Sequence, residues 1–422
     1  MSKRLIGSND YRSFIRFYLI SFVFFVFIFI FIFNPYTKIV ALSYFFLPIS
    51  LLSFVYRFKF LGFEPLLFSV LFIVISLIGV VSSFHHDIGQ FIHLKISLSV
   101  LFYILIVYPV SLFLYKRGFS FNDVLYFILL AVLFNSFFIL LEVQFPPVRD
   151  AAESWLAPSG NVDWSKGFRY RGLASGGGAS LSVIVPVSIV LTLHLYSEKY
   201  IGLARLFIFC AILILSLFFI GRTGFLLLPI VFVSYVVFNV KKHILSIFLI
   251  TLCFVVFILV FGGFVKAFIV EKYGFGFYNY SFGFFLGGVS GIKEEGTVGI
   301  IFDFLTAMPK SFPEILFGYG FYGGSDFVPW TDSGYSRMFL SVGYLFGVLF
   351  YVGLILMARN VIVFKPYLFL TILMVLMIAE FKEPLLLSGY SARIYFAVFV
   401  LATVYKRFSS RMYAGANLII KY

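Results

Sequence analysis

Charge and cysteine are both scarce in this chain of 422 residues. Charged residues make up 12% of the sequence, against about 25% in a typical soluble domain. This shortage excludes a soluble enzyme. The two cysteines, Cys210 and Cys253, both lie inside apolar runs, where they are expected to pack as small hydrophobic side chains rather than form a disulfide or a metal pair.

Acidic residues are fewer than basic ones, 18 against 32, which leaves a formal net charge of +14. In a soluble protein this excess would suggest a nucleic-acid partner. Here lysine and arginine crowd every second segment between apolar runs, as the positive-inside rule requires of short cytoplasmic loops. Topology and attraction to anionic lipid therefore explain the excess, and we expect no nucleic-acid partner.

Apolar residues are abundant, at 62% of the chain with 62 phenylalanines and a mean hydropathy of +1.06. We expect the phenylalanines to face lipid or to pack between helices. A membrane span needs about 20 apolar residues. Apolar runs of about this length recur along the chain, and they predict an all-α polytopic membrane protein. We expect a single transmembrane domain over 1–422, with both termini in the cytoplasm. We expect twelve spans, near 14–33, 39–56, 65–83, 96–115, 123–144, 179–196, 201–220, 224–240, 243–263, 337–357, 361–379 and 389–405.

Two segments on the outer side are too long to be turns, 144–178 and 262–336, and both are predicted to be external loops. In the second, apolar residues from Thr297 to Phe312 repeat at helical spacing and Pro313 follows. This pattern predicts an amphipathic helix on the membrane surface. We find no internal repeat, and no good match to the broken helices of inverted-repeat transporters.

Arginine occurs on the outer side, where positive charge is disfavoured. An arginine at a helix centre costs roughly 2.5–3.5 kcal/mol, so such side chains usually have a partner. Guanidinium groups suit bidentate contact with phosphate, and glycines let a backbone approach a ligand closely. Two interpretations follow: the arginines bind a membrane-anchored anion such as a lipid pyrophosphate, or they pair with acids and lipid phosphates and only orient helices. The residues concerned are Arg169, Arg171, Arg222, Arg337 and Arg393, the glycines Gly172, Gly176, Gly177 and Gly178, and the acids Glu142 and Glu380.

Asp332 is the candidate general base, because it lies five residues before Arg337 at the outer membrane surface. It could equally cap the helix that follows. The histidines His85, His86 and His93 are predicted in the short external loop after the third span, where structural or surface roles are favoured. No metal-ligand spacing occurs among the acids, so we expect a site that is independent of metal and cofactor.

Four motifs stand in order between about residues 120 and 360: RYRGLASGGGAS, GRTGFLLL, LFGYGF and DSGYSRMFLSVGYLFGVL. Together with the span pattern, they resemble the Wzy-type O-antigen polymerases of the bacterial inner membrane and the related O-antigen ligases. In two respects the match departs from the family. The glycines downstream of Arg171 and of Arg337 differ in spacing, and the surface helix offers Lys293 and Lys310 in place of an arginine.

The resemblance implies transfer of an undecaprenyl-pyrophosphate-linked glycan chain onto the non-reducing sugar of another lipid-linked repeat unit, in the periplasm. It implies that pyrophosphate is held by Arg169 or Arg171, Arg222 and Arg337. A chain-length regulator and a flippase are the partners it implies. The other substrate-binding candidates are Gly318, Tyr319, Gly320, Tyr335, Arg393 and Glu142.

Two other functions compete with polymerisation. A ligase uses a histidine in the large external loop, and residues 263–336 contain none. A flippase or transporter should carry its charges at the midplane of the membrane, whereas this chain carries them at the external edge. The sequence therefore favours the polymerase.

Overall fold

The structure, a computed structural model, describes most of the helical part of the chain. The described residues are 11–37, 40–48, 50–52, 63–86, 91–156, 169–239, 266–267, 270–272, 274–276, 278, 309, 311–320, 333–384 and 389–419.

Twelve helices in these segments position the site. They are α1 (Tyr11–Phe33), α2 (Phe63–His85), α3 (Ile92–Lys116), α4 (Phe121–Gln144), α5 (Pro146–Trp155), α6 (Ala179–Ser197), α7 (Leu203–Ile220), α8 (Thr223–Asn239), α9 (Phe312–Phe317), α10 (Gly334–Phe364), α11 (Pro366–Ala379) and α12 (Gly389–Ile419). A short 3₁₀ helix spans Leu42–Phe46. Within the described residues, extended pairing is limited to two isolated bridges, Tyr36 with Ala41 and Thr37 with Leu156.

Six of the helices are long and apolar enough to cross a membrane: α2, α3, α4, α6, α7 and α10. Shorter apolar helices cover Phe17–Phe33, Leu42–Leu52, Thr223–Asn239 and Pro366–Ala379. The all-α, polytopic membrane fold is therefore confirmed. The number of twelve spans and their orientation stay predictions.

Helices α6 and α12 form the centre of the bundle. In α6, 83% of the apolar stretch is buried, against 28% in α7, so α6 is enclosed by protein while α7 is largely exposed. Helix α12 packs against α3, α6 and α10. Its residues Ile394, Tyr395 and Ala397 are fully buried.

At one end of the bundle, polar contacts join the ends of α6 and α10, the start of α2 and Lys406 of α12. Lys365 donates to Glu198 Oε1 at 2.6 Å, which joins the turn after α10 to the end of α6. The Asn360 amide donates to Glu64 at the start of α2. Lys406 of α12 donates to the Asn360 carbonyl at 2.7 Å. The described residue Gly178, which precedes α6, and Ser333, which precedes α10, lie at the opposite ends of these two helices.

Some predicted boundaries differ from the structure. Helix α10 runs on to Phe364, beyond the predicted cytoplasmic turn at Arg359, because no proline or glycine interrupts 354–365 and Pro366 starts α11. His93, predicted in a loop, lies buried in the first turn of α3. Pro313, predicted to close the surface helix, lies in the first turn of α9, which Ser311 caps. Residues 243–263 and 297–308 lie outside the described residues, and 39–56 is described in part, with helix only at Leu42–Leu52.

Candidate substrate-binding site

The segment 169–178 is bound to the bundle by its backbone. Two polar side chains of α4, seven residues apart on one face, hold it. The Asn135 side chain accepts from Leu173 N–H at 3.0 Å and donates to the Arg171 carbonyl at 3.3 Å. Glu142 Oε2 accepts from Gly172 N–H at 3.1 Å. Gly172 has a φ of +61°, and a Cβ there would lie 2.7 Å from Asn135 Oδ1, so both backbone and space require glycine.

The guanidinium of Arg171 is buried beneath this segment. Its Nη1 donates to the Ala174 carbonyl at 2.9 Å, and its Nη2 donates to the carbonyl of Leu156, just after α5, at 2.7 Å. Burial lowers the pKa of Arg171, and the Glu153 carboxylate acts in the opposite direction. Both terminal nitrogens are therefore committed to protein carbonyls, so Arg171 ties the segment to α5.

Tyr390 of α12 holds the glycine run from the other side. Its hydroxyl lies 2.9 Å from Ser175 Oγ, accepts from Gly176 N–H and donates to the Gly176 carbonyl at 2.9 Å. Gly177, half-buried, is the next residue along. Segment 169–178 is thus bound by α4 at residues 171–173 and by α12 at residues 175–176.

Arg169 lies beside the start of α6. Gly178, the N-cap of α6, has a φ of +79°, and no side chain caps the helix. A Cβ at Gly178 would lie 3.4 Å from Arg169 Nη1. Arg169 is exposed, so the structure distinguishes two arginines that the sequence could not: Arg169 lies at the helix end and Arg171 in the protein interior.

The turn between α7 and α8 brings Arg222 to the same helix end. A Cβ at Gly221 would lie 3.4 Å from the Gly178 carbonyl oxygen, and one at Gly224 would lie 2.5 Å from the Ser182 carbonyl oxygen. Gly224 N–H also donates to Ser182 Oγ at 3.2 Å. The two glycines of the GRTG motif therefore allow the turn to pack on the first turn of α6, with half-buried Arg222 between them.

The start of α12 joins this cluster. Ser180 Oγ accepts from Tyr390 N–H at 3.3 Å, and the Ser180 carbonyl accepts from Ser391 Oγ at 3.1 Å. A Cβ at Gly389 would lie 2.5 Å from Ser180 Oγ. Two helix N-termini, each with a partial positive charge, therefore meet beside Arg169 and Arg222.

Arg393 lies elsewhere. Its Nη1 donates to the carbonyl of Phe31, at the end of α1, at 2.7 Å, and its guanidinium lies 5.1 Å from the centre of the Tyr103 ring. This side chain is buried in contacts between α1, α3 and α12. The structure does not bring it to the start of α6.

Arg337 belongs to the short N-terminal part of α10. The helix breaks at Gly343, where φ is +77°, so 334–342 is a separate half-helix. Its start is held by Gly334 N–H, which donates to the Glu380 carbonyl at 2.8 Å. The hydroxyl of Tyr335 donates to the Met377 carbonyl at 2.8 Å, which commits this substrate-binding candidate to α11.

The Gly/Tyr turn at the end of the second large loop fills the break. Tyr319 N–H donates to the Leu340 carbonyl at 2.7 Å, and Gly320 N–H donates to the Ser341 carbonyl at 2.8 Å. The break frees these carbonyls from their helical partners. Gly318 has a φ of +67°, and a Cβ there would lie 2.5 Å from Gly343 N. The turn therefore supports the half-helix that carries Arg337, rather than projecting into solvent.

Asp332 lies outside the described residues, and the N-cap of α10 is Ser333, whose side chain accepts from Ser336 N–H at 3.4 Å. Glu380 is fully buried, and its Oε1 accepts from the Tyr351 hydroxyl at 3.1 Å. Sequence reasoning missed Asn135, Ser180 and Tyr390. A signal existed for Asn135, which is an amide inside an apolar helix, seven residues before Glu142.

The contacts of Arg171 and Arg169 predict different outcomes for the same substitution. We expect Arg171→Lys to lower the melting temperature of the protein purified in detergent, because an ammonium cannot span two carbonyls and a hydrogen bond from a charged group is worth about 1.5–3 kcal/mol. Arg169→Lys should lower it less, since that side chain is exposed. Equal losses in the two variants would contradict these separate roles.

Comparison of this chain with protein-family models, with curated proteins and with solved structures finds no match. Its class rests on the fold described above, which defines an all-α polytopic membrane protein.

Proposed function

We propose that this protein is a Wzy-type polysaccharide polymerase of the bacterial inner membrane. It transfers an undecaprenyl-pyrophosphate-linked glycan chain onto the non-reducing sugar of an incoming lipid-linked repeat unit. The product is O-antigen, capsule or exopolysaccharide. A chain-length regulator and a flippase are its partners in this proposal.

The observation that carries the proposal is the convergence at the start of α6. Arg169 lies against Gly178, and the turn with Arg222 packs on the same helical turn. The first turn of α6 has no side-chain cap, and the start of α12 lies beside it. Two guanidinium groups and two helix N-termini suit a ligand with several negatively charged oxygens, such as a pyrophosphate.

These groups have a direct chemical use in glycan transfer. When the bond between the anomeric carbon and the pyrophosphate breaks, negative charge develops on the departing oxygen. Fixed donors at that position stabilise the transition state, and each typically contributes a few kcal/mol. Arg337, on its half-helix, is the third guanidinium in the proposal.

The proposed orientation follows from the charge pattern. Basic residues such as Lys365, Lys406 and Arg407 gather at the end of the bundle opposite to the arginine cluster. The positive-inside rule assigns that basic end to the cytoplasm. The cluster then faces the periplasm, with both termini cytoplasmic and twelve spans in all.

The break at Gly343 favours the competing transporter function, because transporters bind substrates at discontinuous helices. However, the carbonyls freed at the break are bonded to Tyr319 and Gly320. They are therefore occupied by protein and do not form an ion site. The polymerase remains the function that accounts for the arginines at the outer end.

Deletion of the gene in its host tests the proposal. We expect lipid-anchored glycan with a single repeat unit and no longer chains, because the ligase still attaches what the flippase delivers. Electrophoresis of the extracted surface glycan would show the single band. Loss of all glycan, including the single unit, would identify a ligase or flippase instead, and complementation by the intact gene is the control.

A further inference from the structure

A histidine lies beside the second large loop although that loop contains none in its own sequence. His86 follows the last residue of α2, and its Nδ1 lies 2.9 Å from the Ser82 carbonyl oxygen. A carbonyl can only accept a hydrogen bond, so this contact assigns the ring proton to Nδ1. In that tautomer the lone pair is on Nε2, and the side chain is half-buried.

The turn at the end of the loop packs against this histidine. Ser82 Oγ donates to the Gly318 carbonyl at 2.6 Å, which fixes the turn to the same helical end. The rings of His86 and Tyr319 lie 5.5 Å apart between centres. Ser82 and His86 therefore form one packed unit with Gly318 and Tyr319, from a distant part of the sequence, at the C-terminal end of α2.

A carboxylate completes the unit. Glu314 Oε2 accepts from the Tyr319 hydroxyl at 2.8 Å, and Glu314 forms a capping box with Ser311. Burial alone would raise the pKa of Glu314, but hydrogen bonds from the Tyr319 hydroxyl and from the side chain and backbone N–H of Ser311 lower it. An ionised carboxylate held at this place would stabilise a positive charge that forms on the imidazole.

This unit lies close to one of the proposed phosphate-binding arginines. Tyr319 and Gly320 bind the carbonyls of Leu340 and Ser341, and Ser341 is one helical turn from Arg337. Tyr319 therefore links His86 to the half-helix that carries Arg337. A base at this position can serve an acceptor sugar while the arginines hold pyrophosphate.

We propose that His86 is the general base that activates the acceptor in the polymerisation reaction proposed above, on which this inference rests. Nε2 takes the proton of the acceptor hydroxyl as its oxygen bonds to the anomeric carbon of the donor. The bond from that carbon to the pyrophosphate oxygen breaks, and the leaving undecaprenyl pyrophosphate keeps the electron pair. The imidazolium then gives its proton to water. Glu314, through Tyr319, is a positioning residue.

The structural alternative is a histidine that only bonds the last carbonyls of its helix, as basic side chains often do at helix C-termini. The variant His86→Gln tests this directly, because glutamine can still donate to the Ser82 carbonyl but cannot act as a base. His85→Gln is the matched control. His85 is the adjacent histidine, is exposed, and has its described ring contact with His86 rather than with Tyr319.

The assay uses the full-length protein in liposomes with undecaprenyl-pyrophosphate-linked repeat units extracted from the deletion strain. General-base catalysis typically contributes 10²–10⁴-fold. We expect kcat to fall by roughly 100-fold or more in His86→Gln, with KM little changed, and to stay at the wild-type value in His85→Gln. Added imidazole should restore part of the rate to His86→Ala, which a purely structural role would not allow.

The outcomes separate the two proposals. Polymerisation by His86→Gln at the wild-type rate, or no effect of imidazole on an inactive but normally folded His86→Ala, would overturn the role of His86 and leave the polymerase function standing. No polymer from the wild-type protein in the same liposomes would overturn both.

Discussion

Arg222→Lys is expected to abolish most polymerisation while the protein reaches the membrane at its normal level. Lysine keeps the charge but lacks the planar fork that holds two phosphate oxygens at once. Because removal of one such donor from a transition state typically costs about 10²–10³ in rate, we expect the long glycan chains to collapse to one or a few repeat units. Electrophoresis of surface glycan and immunoblots of the membrane fraction measure the two effects.

The chain offers a matched control for this substitution. Arg205 is an exposed arginine in the first turn of α7, at the opposite end of the same helix from Arg222. Arg205→Lys should leave chain length unchanged. Full-length polymer in Arg222→Lys would mean that Arg222 only orients its helices in the membrane. The pyrophosphate site would then have to be sought elsewhere.

Gly320→Ala is expected to have the second large effect, on both stability and activity. A Cβ at Gly320 would lie 1.9 Å from the backbone nitrogen of Ser83, with φ at +73°. The clash is with backbone, which cannot rotate away. The Gly/Tyr turn would therefore leave the break in α10, and the half-helix with Arg337 would lose its support.

Gly118 provides the control that separates strain from collision. Its φ is +82°, close to that of Gly320, but a Cβ there would meet no atom within 4 Å. Gly118→Ala should therefore cost only the left-handed backbone strain, roughly 1–2 kcal/mol, and leave polymerisation intact. A similar drop in melting temperature for the two variants would contradict the docking of the turn, since the clash is present in only one of them.

The half-helix at Arg337 shows where sequence reasoning reaches its limit. The motif DSGYSRMFLSVGYLFGVL predicts a span that starts near Arg337, and a helix does start at Gly334. Gly343 reads as an ordinary glycine in an apolar run. Its break depends on Tyr319 and Gly320, more than twenty residues away in sequence, which supply the hydrogen bonds that the helix loses. No local pattern contains this information.

The roles of Arg169 and Arg171 were undecided for the same reason. Both lie in RYRGLASGGGAS, and their spacing alone does not distinguish which of them binds a phosphate. The carbonyls of Ala174 and Leu156 take up the guanidinium of Arg171, while Arg169 lies beside Gly178. Only the packing of α5 and α6 around the segment separates the two.

The sequence by itself determined that this protein lies in the membrane as a bundle of helices, because the length of apolar runs and the cost of unpaired backbone groups in lipid leave no other solution. It also predicted which chain segments carry arginine on the external side, because charge placement follows from membrane insertion. The tertiary structure alone decided which arginines meet at the start of α6, that α10 is broken, and that His86 lies beside Tyr319. Those relations depend on contacts between residues far apart in the chain, and packing, not local pattern, specifies them.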